Sequence, residues 1–225
     1  MIKPIIAFIC ILFLSVSCYA QDGGLTVGYG YRMNYRIAGL DQFSGVKPIG
    51  SPYLNVMFSP AMVDGIPAKV NMRYNACFDA MEFISPKNDT LALDKIPDFS
   101  NITFLSANKK YKLVTYNNAE KSHQGYLIEL YQKANYTLFK REWISFYPGK
   151  KAKTSLERDM PARFSKENDQ YYLKDTNGYI TDFPESKKQL AKLFPDKKEA
   201  IEKFVKENKI DFETDRTKII DFLAQ

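Results

Sequence analysis

Four acidic residues lie in or beside stretches that we predict to be β-strands, where carboxylates are uncommon. Hydrolysis of a glycosidic bond needs only two carboxylates, placed on either side of the bond. Strands that meet at a cleft could bring such a pair together, and the enzyme would then be a carboxylate-dependent hydrolase. A strand edge or a solvent-facing strand surface accounts for the same residues without catalysis. The four candidates are Asp79, Glu82, Glu129 and Glu142.

The chain contains few residues that could act as a nucleophile or bind a metal. It contains one histidine, His123, and three cysteines, of which only Cys77 lies beyond residue 20. A zinc site needs clustered Cys and His ligands, and a cysteine nucleophile needs a base beside it. Cys77 is therefore expected to fill space in a strand or turn. No serine nucleophile elbow, phosphate loop or dinucleotide fingerprint is present, and we predict no cofactor, no metal site and no catalytic residue.

A group of polar and aromatic residues is the best candidate for a role beyond folding. Its arginine can hold a carboxylate through two parallel hydrogen bonds, and its asparagines can satisfy loop backbone groups. Two interpretations stay open: a ligand-binding site, or a buried polar clasp that positions residues 51–55. The members are Tyr53, Asn55, Arg73, Tyr74 and Asn75.

The first twenty residues have the pattern of an export signal. Lys3 supplies a positive start, residues 5–16 are apolar apart from one serine, and Cys18-Tyr19-Ala20 places small residues before a cut at Gln21. The apolar run is shorter than the ~20 residues of a membrane-spanning helix. We therefore predict a signal peptide, residues 1–20, cleaved after Ala20, and a mature protein outside the cytoplasm.

Cys18 allows a second interpretation of the same segment. Bacterial lipoproteins carry a lipidated cysteine just after the apolar run, although residues 14–17 match the usual preceding pattern poorly. The protein would then be a membrane-tethered scaffold. In the first interpretation Cys77 is the single cysteine of the mature chain, so no intrachain disulfide can form.

The composition predicts a β-rich body with a mildly basic surface. The chain has 15 tyrosines and 16 phenylalanines, and aromatic residues favour strands. The net charge of +6 comes partly from Lys140-Arg141 and from the lysines of residues 150–153. Without a basic helix or an aromatic nucleic-acid motif, this charge does not predict nucleic acid as a partner.

Alternating apolar residues and turn signals predict an antiparallel fold. Asp64-Gly65 and Asn177-Gly178 are strong hairpin turns, and the chain lacks the long crossovers of a parallel sheet. We expect a mainly β domain over residues 21–183, built as a meander, sandwich or open barrel. The predicted strands are residues 25–37, 68–74, 78–84, 90–93, 102–105, 111–116, 126–131, 136–147, 162–165, 171–174 and 179–183, the last three forming a meander.

The pattern becomes helical after Pro184. Ser186 can cap a helix over residues 187–194, and Asp196 with Glu199 resembles a capping box for a helix over 197–208. Thr214 can cap a final helix that ends at Leu223. We expect these helices, in a segment spanning residues 184–225, to dock on the core, with binding of a partner as the alternative.

Several motifs resemble those of an uncharacterised exported protein family of Bacteroidota. They are Ser51-Pro52-Tyr53-Leu54-Asn55, Arg73-Tyr74-Asn75 and Glu82-Phe83, followed by Pro161-Ala162-Arg163-Phe164, Tyr171-Tyr172-Leu173-Lys174 and the run from Leu193 to Lys198. Ala76-Cys77-Phe78 departs from the more polar turn of that pattern. The resemblance implies a Gram-negative envelope, in the periplasm or at the periphery of the outer membrane. It also makes Asp89-Thr90-Leu91 resemble a site of O-glycosylation, at Thr90.

Together these features predict a non-catalytic protein of the cell envelope that binds a protein or glycan partner. The hydrolase of envelope glycans and the lipoprotein anchored at Cys18 are the alternatives. A membrane is a partner only in the second of these.

Overall fold

The computed structural model describes residues 30–31, 47–118, 121–154 and 156–225. The protein is mainly β, with 44% strand and 18% helix, and its main sheet curls into a half-barrel followed by C-terminal helices. This confirms the expected fold class. The signal segment, including Cys18, lies outside the described residues, as does all but Gly30–Tyr31 of the strand predicted over residues 25–37.

The described strands follow the chain in order. They are β1 (Gly30–Tyr31), β2 (Ser59–Val63), β3 (Ile66–Asn75), β4 (Ala80–Ile84), β5 (Thr90–Leu93), β6 (Asn101–Phe104), β7 (Lys109–Asn118), β8 (Lys121–Lys133), β9 (Tyr136–Arg141), β10 (Ile144–Tyr147), β11 (Arg163–Lys166), β12 (Gln170–Lys174) and β13 (Ile180–Asp182).

Among the described residues the main sheet is antiparallel and has eleven strands, with the two-residue β1 at one edge. Its order is β1-β5-β4-β3-β2-β6-β7-β8-β9-β12-β13. β2 to β5 therefore form one meander and β6 to β9 a second, joined where β2 pairs with β6. At the far end the sheet curls until β13 packs against β7.

The hairpins form where the turn residues predict them. Asp64-Gly65 joins β2 to β3, and Gly65 has φ 77°, a value that glycine adopts without steric cost. Ala134-Asn135 joins β8 to β9. Asn177-Gly178 lies in the loop between β12 and β13, where Gly178 N donates to Asp175 O at 3.1 Å.

Residues 136–147 form two strands, although the sequence predicts one. β9 ends at Arg141, and β10 leaves the main sheet to pair with β11 in a separate two-stranded sheet. The chain turns here because Glu142 is bound by Lys109 and Lys140, while Ile144 N donates to Ala76 O at 3.2 Å. The predicted meander of residues 162–183 is wrong in its first pairing, since β12 pairs with β9 and not with β11, whereas its second pairing, β12 with β13, is confirmed.

Three apolar clusters make up the core. The largest lies on one face of β2 to β8 and includes Met72, Phe83 and Tyr126. A second joins Leu138 of β9 and Leu173 of β12 to the C-terminal helices. The third lies inside the half-barrel formed by β7, β8, β9, β12 and β13 and consists of Tyr116, Leu127, Phe139, Tyr172 and Ile180.

Three helices follow the sheet: α1 (Lys187–Leu193), α2 (Lys198–Asn208) and α3 (Arg216–Leu223). Ser186 caps α1, since its side chain accepts from Gln189 N, as the sequence predicts. The helices bury Leu190, Ile201, Ile219, Ile220 and Leu223 in the second core cluster, which confirms that they dock on the sheet.

Two of the predicted helix caps are wrong. Residues 195–197 form a short 3₁₀ helix, so Asp196 lies inside it and does not cap α2. Asp215 precedes α3 in place of Thr214, and its carboxylate accepts from Asp211 N at 3.1 Å. No helix in the described ranges is long and apolar enough to span a membrane.

Candidate functional site

A polar cluster centred on Glu82 occupies the outer face of β3 and β4. Side chains alternate between the faces of a strand, so Met72 and Tyr74 enter the core while Arg73 and Asn75 lie on the opposite face with Glu82. We call Tyr53, Arg73, Asn75 and Glu82 the Glu82 cluster.

Glu82 is fully buried and held by three side chains. Arg73 Nε donates to Oε2 at 2.8 Å, and Tyr53 OH donates to the same oxygen at 3.0 Å. Asn75 Nδ2 donates to Oε1 at 2.9 Å. A buried carboxylate is tolerated only when it is paired and hydrogen-bonded, and these contacts meet that requirement.

Arg73 divides its guanidinium among several partners. Nη2 donates to Tyr53 OH at 2.7 Å, and Nη1 donates to Val56 O at 3.2 Å. The guanidinium carbon lies 3.9 Å from the centroid of the Tyr53 ring and 4.4 Å from that of Phe58, in cation–π geometry. The expected pair of parallel bonds to one carboxylate is therefore wrong, and Arg73 instead ties residues 53–58 to the sheet.

The asparagines satisfy loop backbone groups, as the sequence predicts. Asn75 Oδ1 accepts from Cys77 N and Phe78 N, both at 3.2 Å. Asn55 Oδ1 accepts from Met57 N at 3.0 Å and lies outside the Glu82 cluster. Of the five predicted site residues, three meet at Glu82, and the geometry is that of a clasp over the sheet.

Tyr74 faces the core and belongs to a different group of contacts. Its hydroxyl donates to Asp79 Oδ1 at 2.7 Å. Burial, together with the nearby charge of Asp79, raises the pKa of Tyr74 well above its ordinary value. Tyr74 therefore does not join Arg73 and Asn75, although it stands between them in the chain.

The clasp holds an exposed apolar surface in place. Ile49, Leu54, Val56 and Met57 are 60%, 40%, 53% and 69% exposed, and we call these four residues the 49–57 surface. Val56 is fixed by Arg73, and Pro52 O accepts from Ala76 N at 3.0 Å. Exposed apolar side chains on one short segment are candidates for an interaction surface. Sequence analysis missed this surface because its residues are loop residues without periodicity.

Asp79 anchors the tip of the β3–β4 hairpin to β8. It has φ 51°, in the left-handed region, and its carboxylate accepts from Tyr74 OH and from Tyr126 N at 3.1 Å. Lys95 Nζ donates to Oδ2 at 2.7 Å. The carboxylate thereby satisfies a backbone donor where β8 has not yet met β9.

Glu129 and Glu142 also form ion pairs. Glu129 Oε2 lies 2.5 Å from Lys112 Nζ. Glu142 binds Lys109 at 2.5 Å and Lys140 at 2.7 Å. Although burial raises its pKa, the hydrogen bonds from Lys109 and Lys140 hold the pKa of Glu142 below its ordinary value.

The four strand carboxylates are thus neutralised separately. The Asp79 carboxylate accepts a hydrogen bond from Tyr74 on the core side of β3 and β4, whereas Glu82 lies on their outer face. A glycosidase acid needs a raised pKa, and Glu142 has a lowered one. The arrangement does not favour the paired carboxylates of a hydrolase.

The half-barrel contains an open cavity of about 280 Å³. Its floor includes Phe139 and Ile180, and burial raises the pKa of the neighbouring Tyr172 to about 12. The cavity arises from the curl of the sheet, which no local pattern predicts. The lining residues are Lys112, Val114, Thr115, Gln132, Thr137, Phe139, Lys174, Gly178 and Ile180.

The remaining candidates lie apart from both sites. Thr90 begins β5 and is exposed, so its hydroxyl is accessible. Cys77 packs against the main core cluster, and burial raises the pKa of its thiol. His123 stacks on Tyr116, 5.8 Å between ring centroids. Within the described ranges, no three His, Cys, Asp or Glu residues form a group that could hold a metal ion.

Comparison with known proteins adds no relative to this description. No protein-family model, no curated protein and no solved structure matches the chain.

Proposed function

We propose that this is a non-catalytic, exported protein of the cell envelope that binds a protein partner through the 49–57 surface. Export and the envelope address rest on residues 1–20 and on the motif resemblance. The observation that carries the binding role is that four exposed apolar side chains lie on a loop that hydrogen bonds from Arg73 and Ala76 tie to the sheet.

Rigidity is what supports a binding role for this loop. Arg73 contacts Tyr53, Val56 and Phe58, and Ile49 N donates to Ala162 O at 2.9 Å, so both ends of the loop are held. An interface that is already ordered loses less conformational entropy on binding than a flexible one. Large apolar side chains on such a support suit the apolar centre of a protein interface.

Other contacts favour a protein partner over a hydrolase activity, a nucleic-acid partner or a glycan partner. The hydrolase needs two carboxylates that cooperate, whereas each strand carboxylate has its own cation. Nucleic acid is not part of the proposal, since Lys140 is occupied by Glu142 and Asp169. A glycan at the 49–57 surface would call for an exposed aromatic face, and the Tyr53 ring there is covered by Arg73.

Photo-crosslinking in the native host tests this proposal. A benzophenone amino acid at position 57 is expected to give a discrete crosslinked protein in the envelope fraction. The same amino acid at Lys188, an exposed residue of α1, is the matched control and should give none. Val56→Asp should remove the product without changing the unfolding midpoint. Equal products at both positions, or none at position 57, would contradict the proposal.

A further inference from the structure

The cavity in the half-barrel combines hydrogen-bond donors with apolar walls. Two lysines, a glutamine and two threonines contribute polar groups, while Val114, Phe139 and Ile180 form apolar wall. The lining contains no acidic residue. Small-molecule sites place polar groups beside apolar surface, and this cavity offers both.

The two lysines of the cavity differ in their electrostatic state. Lys112 is neutralised by Glu129, 2.5 Å from its ammonium. The side chain of Lys174 makes no ion pair or hydrogen bond with another residue of the described ranges, and the residue is only partly exposed. The cavity therefore presents one uncompensated positive charge, which calls for a ligand with one negative charge.

Thr137 supplies a second polar contact at the apolar wall. It is 3% exposed, and no hydrogen bond joins its hydroxyl to another described residue. Its register partner in the β9–β12 pair is Lys174, so the two side chains leave the sheet on the same face. Thr137 also lines the cavity, so its hydroxyl can donate to a ligand oxygen there.

We infer that the half-barrel cavity binds a small organic monoanion, namely a carboxylate attached to an apolar or aromatic body. Lys174 and Thr137 hold the carboxylate, and the body packs on Phe139, Val114 and Ile180. The volume of about 280 Å³ limits the ligand to a small one, since pockets for drug-sized molecules begin at about 300 Å³. Phosphate fits less well, because it has no apolar part and Lys112 is already neutralised.

Titration of the ¹⁵N-labelled full chain, expressed with its own N-terminal segment, with benzoate tests this inference. Benzoate is expected to shift the amide resonances of Thr137, Phe139, Lys174 and Gly178. Benzamide, which lacks the charge, and inorganic phosphate, which lacks the apolar body, should each bind at least about tenfold more weakly, the size of one lost charge-assisted contact.

Two variants test whether Lys174 supplies the positive charge that binds benzoate. Lys174→Met should weaken benzoate binding at least about tenfold, whereas Lys174→Arg retains the cation and should bind comparably. Lys188→Met, on α1, is the control and should leave binding unchanged. Unchanged thermal midpoints show that the variants fold. Absence of shifts at these amides up to millimolar benzoate, or equal binding by Lys174→Met, would overturn the inference.

Discussion

Asp79 and Gly125 approach so closely that only glycine fits at position 125. A Cβ at this position would overlap Asp79 Oδ2. The carboxylate cannot move aside freely, because it is held by Tyr74, Lys95 and the backbone of Tyr126. The hairpin tip of β3 and β4 is therefore locked to β8 at one point.

Gly125→Ala should destabilise the protein by about 1–3 kcal/mol, the cost of overpacking a tight site. Urea unfolding measures the change in the free energy of unfolding. Alanine normally gains about 0.5–1 kcal/mol over glycine in a strand, so a stabilised variant would contradict the overlap. In Asp79→Ala/Gly125→Ala the second substitution should cost less than it does alone, since the neighbouring carboxylate is gone.

Arg73→Met should cost about 3–5 kcal/mol, because it leaves the buried Glu82 carboxylate without its cation. Chemical denaturation measures the loss. Lys166→Met is the matched control: Lys166 is 57% exposed and 3.8 Å from Asp169, so its removal should cost no more than about 1 kcal/mol. Similar losses for the two variants would show that burial of Glu82 does not set the cost.

Glu142 should make stability depend on pH in the acid range. Its pKa is lowered in the folded protein from an ordinary value of 4.5. Its contribution is therefore complete above that value and is lost as the pH falls through the folded pKa. The stability difference between the natural protein and Glu142→Gln should shrink between pH 7 and pH 3. A stability difference that stays constant over this range would contradict the prediction.

Ile219→Ala should destabilise the whole protein by about 2–5 kcal/mol, since a fully buried side chain is truncated. Unfolding should remain a single transition, because α3 shares its core cluster with β9 and β12. Thr217→Ala, on the exposed side of α3, should change stability by no more than about 0.5 kcal/mol. Two separate transitions would show that the helices fold independently.

Intact mass of the protein from its native envelope fraction should correspond to a chain that begins at Gln21. This follows from the predicted cut after Ala20. A mass that corresponds to a triacylated chain beginning at Cys18 would show instead that the protein is anchored to a membrane. Cys18→Ser should leave the mass of the released form unchanged after cleavage, because residue 18 is removed.

Local features of the fold were predictable because neighbouring residues determine them. The Asp64-Gly65 turn and the Ser186 cap depend on residues within a few positions. The pairing of β2 with β6 and of β9 with β12 was not predictable, because it depends on how distant side chains pack. The end of β9 beside Glu142 was not predictable for the same reason, since the partner of Glu142, Lys109, lies 33 residues away in the chain.

The candidate site shows the same division. Arg73 and Glu82 face each other across one hairpin, so their pairing follows from strand register, and the sequence indicated that Arg73 binds a carboxylate. The roles of Phe58 and of the 49–57 surface were not predictable, because these residues lie in a loop without periodicity. Lys174 and Lys112 line the same cavity because the sheet curls, and no spacing in the sequence encodes that curl.

The order of strands also has a consequence for how the chain is assembled during synthesis. β2 to β5 pair with near neighbours in sequence, so this meander can form before β6 has been made. Until β6 arrives, one side of β2 is an open edge on which another chain could pair. Pro60 lies on that strand and has no backbone N–H to offer, while its carbonyl later accepts from Leu105 N at 3.0 Å. The proline thus protects the nascent chain from aggregation until its proper neighbour is available.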